Sequence, residues 1–164
     1  MFSKIITGIL AFLLMLFPSW GGAQYSYLMR TNAASIAAPK IVSAVEARDV
    51  VALESMMCKN IKDNVPDLPG EIRNLIDAID GKITKSTWET AGGFTTNANG
   101  KRIAQILIGI SFTTSVGTYF LGVTWEIAND FAKDEIGIRN AGLVLDGNLL
   151  YRISATEGIG ESHS

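Results

Sequence analysis

Residues 101–128 constrain this chain more than any other stretch. They read as two long β-strands joined by a tight turn at 115–117. In the first, Ala104, Ile106, Ile108, Ile110 and Phe112 alternate with Ile103, Gln105, Leu107, Gly109 and Ser111. In the second, Tyr119, Leu121, Val123, Trp125 and Ile127 alternate with Phe120, Gly122, Thr124, Glu126 and Ala128. A pleated strand turns successive side chains to opposite faces, so each alternation sets a more apolar face against a more polar one. A lone hairpin cannot bury such a face in water; it needs further strands and a cover.

The flanking segments supply both. Residues 33–48 predict a helix with Ile36, Ile41, Val42 and Val45 along one side. Pro39 lies within it, marking either the start of the regular helix or a kink. Asp49 is a good N-cap for a second short helix over 50–57, carrying Val51, Leu53, Met56 and Met57. Residues 59–68 are polar, contain Pro66 and read as a connector. A third helix opens at Pro69 or Gly70 and runs to Asp80, with Ile72, Leu75, Ile76 and Ile79 at helical spacing and Gly81 as its stop. Residues 82–90 then predict a first strand, and the Gly-, Thr- and Asn-rich 91–100 a loop. After the long hairpin come a polar loop at 129–135 and a strand over 136–146. The apolar phase of that strand changes between Ile138 and Leu143, which predicts a bulge near Gly142. Asp146-Gly147 signals a hairpin turn into a last strand with Leu149, Tyr151 and Ile153. Three helices followed by consecutive antiparallel strands predict an α+β fold, with the helices packed on one face of a strongly curved antiparallel sheet.

The chain has 164 residues, enough for one domain, predicted over 33–155. Its 14 Lys and Arg against 16 Asp and Glu form no basic cluster, which excludes nucleic acid as a partner. Residues 1–23 read as a secretory signal: Lys4, an uncharged apolar run over 5–17, then Pro18, Gly21, Gly22 and Ala23. Cleavage is expected after Ala23, with 24–32 as an exposed lead-in and 156–164 as a disordered tail. The protein is therefore expected to be secreted or extracytoplasmic. A membrane span needs about 20 apolar residues, so attachment is expected only if the leader is retained. No cysteine lies near Ala23 to carry a lipid. The one cysteine, Cys58, cannot form an intramolecular disulfide and reads as a small hydrophobe packed after a helix. A reactive thiol would need a cationic neighbour, and Lys59 is the nearest in sequence.

The order of elements resembles the cone-shaped fold of the nuclear-transport-factor-2-like, cystatin-like superfamily, which includes ketosteroid isomerases. A narrower similarity lies in residues 44–53, in Met57-Cys58-Lys59, in Val65-Pro66-Asp67-Leu68, and in Ile72 through Asp80-Gly81-Lys82-Ile83. These residues resemble DUF5104, a family of uncharacterised exported bacterial domains, chiefly of Gram-positive type. The likeness runs from about residue 33 to 153. It implies the cone fold, with a cavity between sheet and helices, but no catalytic residues.

Acid–base work in such a cavity calls for a histidine or a tuned carboxylate. The only histidine is His163, in the tail. The strand carboxylates Glu89 and Glu126 each follow a tryptophan, Trp88 and Trp125, and by alternation each should face away from it. If the tryptophans pack under the helices, both glutamates are solvated on the outer sheet face. In the reversed register, Glu126 enters the cavity as an acid–base candidate. Asp130, Asp134 and Glu135 lack the spacing of a calcium loop, and no cofactor or metal is expected. Two classes of function follow. One is a non-enzymatic module that binds an apolar small molecule or a protein, using Trp88, Tyr119, Phe120 and Trp125. Ile103, Leu107 and Phe120 would lie outside if the even-numbered residues of 104–112 are inside, which would suit a homodimer through the sheet. The other is a small isomerase, dehydratase or hydrolase working from Glu126 or Glu89.

Overall fold

The computed structural model describes residues 18–155. The predicted leader up to residue 17 and the predicted tail lie outside the described residues. Four helices precede the sheet: α1 (Pro18–Glu46), α2 (Val50–Met56), α3 (Lys59–Asn64) and α4 (Leu68–Asp77). Five strands follow: β1 (Lys85–Ala98), β2 (Lys101–Thr113), β3 (Thr118–Asn129), β4 (Gly137–Leu145) and β5 (Asn148–Ser154). They form one antiparallel sheet in the order β1-β2-β3-β4-β5. The α+β class and the order of helices followed by five consecutive antiparallel strands match the expectation from sequence, with four helices in place of three. The sheet is not strongly curled, however, which corrects the expected curvature.

α1 is longer than expected, because the lead-in at 24–32 is helical and Pro39 sits inside the helix. Proline at the first helical position sacrifices no hydrogen bond, and alanine is the strongest helix former. Ala34, Ala37, Ala38, Ile41, Ala44 and Val45 make the buried stripe, and their small side chains let α1 lie close to its neighbours. Ile36, expected on that stripe, points out and is 62% exposed. α2 starts as predicted, with the Asp49 carboxylate accepting from Ala52 N at 2.9 Å. The expected connector holds a further helix, α3. It is short, but Ile61 is buried and Lys59 pairs with Asp63 one turn on. α4 is capped by Asp67, which accepts from Gly70 N at 3.1 Å, and Gly81 takes the left-handed conformation beyond its end at φ +80°.

β1 is the largest departure. The predicted loop at 91–100 is strand as far as Ala98, paired with the start of β2. The turn is only Asn99-Gly100, at φ +52° and +74°, as two-residue hairpins favour. Two irregularities bracket the expected position of the bulge: on the β3 side Thr124 pairs with Asn140 and Trp125 with Ile138, leaving Arg139 unpaired, and on the β5 side the register shifts between Leu143 and Val144, next to Gly142, leaving Leu150 unpaired. Gly142 itself pairs regularly with Gly122 and Arg152.

Directly paired residues share a face. The rows Phe112–Tyr119, Ile110–Leu121–Leu143, Ile108–Val123–Ala141 and Ile106–Trp125–Ile138 therefore form the inner face. They join Ile41, Leu53, Ile61, Ile72, Ile76 and Ile79 from the helical layer in one continuous core. The outer face carries Leu107, Phe120 and a row of glycines, Gly109–Gly122–Gly142, with Glu89 at the β1 end and Arg152 at the β5 end. No described helix is long and apolar enough to cross a membrane.

Candidate functional site

Glu126 is the one carboxylate with no solvent exposure among the described residues. It pairs with Gln105 on β2 and Gly137 on β4, so by register it faces away from Trp125, as alternation predicts. It is not solvated, which corrects the expectation attached to that orientation. Two bulges account for this. The first leaves Ile127 unpaired, since Gln105 pairs with Glu126 but Ala104 with Ala128. Residues 126 and 129, three apart, then share a face, and Asn129 Nδ2 donates to Glu126 Oε1 at 2.5 Å. The second frees Arg139 on β4, whose Nη1 lies 2.7 Å from Glu126 Oε2. Gln105 Nε2 donates to the same oxygen at 2.9 Å.

An ionised carboxylate loses several kcal/mol of hydration on burial unless charge and hydrogen bonds replace it. Here three donors from three strands do so. The carboxylate in turn holds the Arg139 guanidinium above its ordinary pKa, against the effect of burial. Asn129 completes the arrangement: its Oδ1 accepts from Phe131 N and Ala132 N at 3.0 and 2.9 Å, fixing the loop after β3. That loop is also tied by Asp130, which accepts from Arg102 N at 2.8 Å, and by Glu135, which accepts from Asn60 N at 3.2 Å. Both Glu126 oxygens are thus engaged, and the geometry is that of a cross-strand lock. Gln105, Asn129 and Arg139 were not legible as a group in the sequence. The phase change within β4 was the one available signal, and it marks Arg139.

The other candidates separate. Glu89 is exposed on the outer face, opposite Gly109. Tyr119 is core, 2% exposed, and its hydroxyl accepts from Asp80 N at 3.2 Å. Trp125 is half-buried against the core. Trp88 shares the inner face with Ile110, but β1 is an edge strand and leaves it 39% exposed. Phe120 lies outside, 40% exposed, its ring so close over the glycine row that a Cβ on Gly109 would come within 2.8 Å of it. The structure therefore does not bring the four aromatics to one site. Cys58 is fully buried; burial is the main force raising its thiol pKa, and the Glu135 carboxylate adds to it.

Clefts open at the margins of the core. One, of about 430 Å³, lies between the ends of α1 and α4 and the start of β1; Val45, Ile76, Ile79, Ile83 and Ser86 are among its walls. The second, of about 520 Å³, runs along the outside of the α1–α2 junction.

Fold and sites together define a small α+β domain: a helical layer ahead of a five-stranded antiparallel meander, with its buried carboxylate locked by neighbouring strands. Residues 40–144 match the family described as Domain of unknown function (DUF5104), and the chain belongs to that family. No curated protein matches the chain.

Proposed function

We propose that this chain is an exported, non-enzymatic interaction module that presents its outer sheet face to a protein partner. The observation that carries this reading is the apolar surface there. Leu107, Phe120 and Leu149 are 41%, 40% and 59% exposed, and the glycine row between them keeps the surface low. Exposed apolar residues grouped on one face favour a binding surface, whereas scattered ones need no explanation. Export rests on the leader pattern of residues 1–23. The engagement of both Glu126 oxygens favours binding over acid–base chemistry.

Native mass spectrometry of the protein purified from its own host tests the proposal. The expected result is a mature N-terminus at Gln24 and a co-purifying protein that Phe120→Asp releases without unfolding the domain. A partner retained equally by Phe120→Asp, or turnover of any substrate that Glu126→Gln abolishes in a folded protein, overturns the outer-face reading.

A further inference from the structure

Among the described residues, β1 is a long edge strand with little to prevent pairing. Between Lys85 and Ala98 it carries one further charge, Glu89, and no proline. Protected edges are usually short, charged, interrupted by proline or covered. Here the bulge at Ala91 is the only interruption, and it leaves the stretch before it regular.

We propose that this edge pairs with the same edge of a second copy, antiparallel about a two-fold axis through Thr87, to make one ten-stranded sheet. Three independent features meet in that register. Residues opposite one another have numbers that sum to the same value, so Lys85 of each copy stands across from Glu89 of the other, on the outer face. Opposite charges directly across a sheet are favourable, and like charges are not. The threonine on the axis faces its own copy, a favourable cross-strand pair. On the inner face, Trp88 stands across from the other copy's Ser86, and Ser86 is a wall of the 430 Å³ cleft floored by Val45, Ile76 and Ile79. A two-fold axis perpendicular to the sheet keeps both inner faces on the same side. The half-exposed indole of each copy is thus aimed at the cleft of the other, where Val45, Ile76 and Ile79 offer apolar contact beside the charged Glu46 and Arg48, the arrangement of an amphipathic aromatic anchor seated in a pocket. The interface is isologous and closes after two copies, because each edge is used once.

Sedimentation velocity across a dilution series, with far-UV circular dichroism as the check on folding, tests this. The native chain is expected to sediment as a dimer that dissociates on dilution. Lys85→Glu and Glu89→Lys are each expected to weaken self-association at least about tenfold, because each sets like charges across the axis; the double exchange restores it to within about threefold. Trp88→Ala is expected to dissociate the dimer while leaving the fold. Phe120→Asp leaves it intact, which separates this edge from the outer face proposed above. A monomer at every concentration, or a folded double exchange that stays as weak as the single reversals, overturns the proposal.

Discussion

The dipeptide Trp-Glu occurs twice in this sheet, and the two copies meet opposite fates. Glu126, on central β3, has no exposed surface and three donors; Glu89, on edge β1, is in water. Trp125 packs against the core, while Trp88 keeps 39% of its surface exposed. Local sequence is the same, and both pairs obey alternation. What differs is the number of neighbouring strands, and whether a bulge next to the glutamate brings polar groups to it. A carboxylate on a strand is therefore not read as solvated or catalytic from its own alternation. The strands on either side decide.

Several substitutions sharpen or break this contrast. The largest expected effect is on the tryptophans: Trp125→Ala costs about 3 kcal/mol of unfolding free energy in urea, and Trp88→Ala about 1 kcal/mol when measured on dissociated protein. Equal costs would break the contrast. Next come the glutamates. Glu126→Ala leaves a partly buried guanidinium without its carboxylate and costs about 3 kcal/mol, whereas Glu89→Ala stays within about 0.5 kcal/mol. Third, a cycle combining Glu126→Ala with Arg139→Ala is expected to show a coupling of about 2 kcal/mol; additivity would mean that the ion pair contributes nothing of its own. The smallest effect is at high pH, beside Arg139. The Cys58 thiol is raised above its ordinary 9.0, chiefly by burial. In the unfolded chain it loses its proton first, so unfolding releases a proton and stability falls as pH rises past that ordinary value. Cys58→Ala should flatten this alkaline slope; an unchanged slope would assign it to other groups, such as Tyr151, whose pKa is also raised.

The strands that alternate cleanly were legible residue by residue. Ile106, Ile108, Ile110 and Phe112 of β2 and Tyr119, Leu121 and Val123 of β3 all face the core, and the Asp49 cap is where its side chain implies. Three places were not legible, each for a physical reason. Residues 91–98 carry no long apolar alternation, since β1 is exposed over 91–97, and their strand state comes from pairing with β2. α3 has one buried side chain, Ile61, too little for a helical stripe. The lock around Glu126 depends on two bulges in different strands. A bulge shows in sequence only as a break in phase, and the break at Ile127 is hidden because the neighbouring Ala128 suits either face.

The sheet order adds a consequence for how this chain acquires its shape. Every strand lies beside its predecessor, so no distant segment must return to close the sheet. Each hairpin brings together residues near in the chain, which keeps the entropy lost on closure small and favours rapid assembly. The sheet can grow in the order of synthesis, one strand at a time, onto helices that have already emerged.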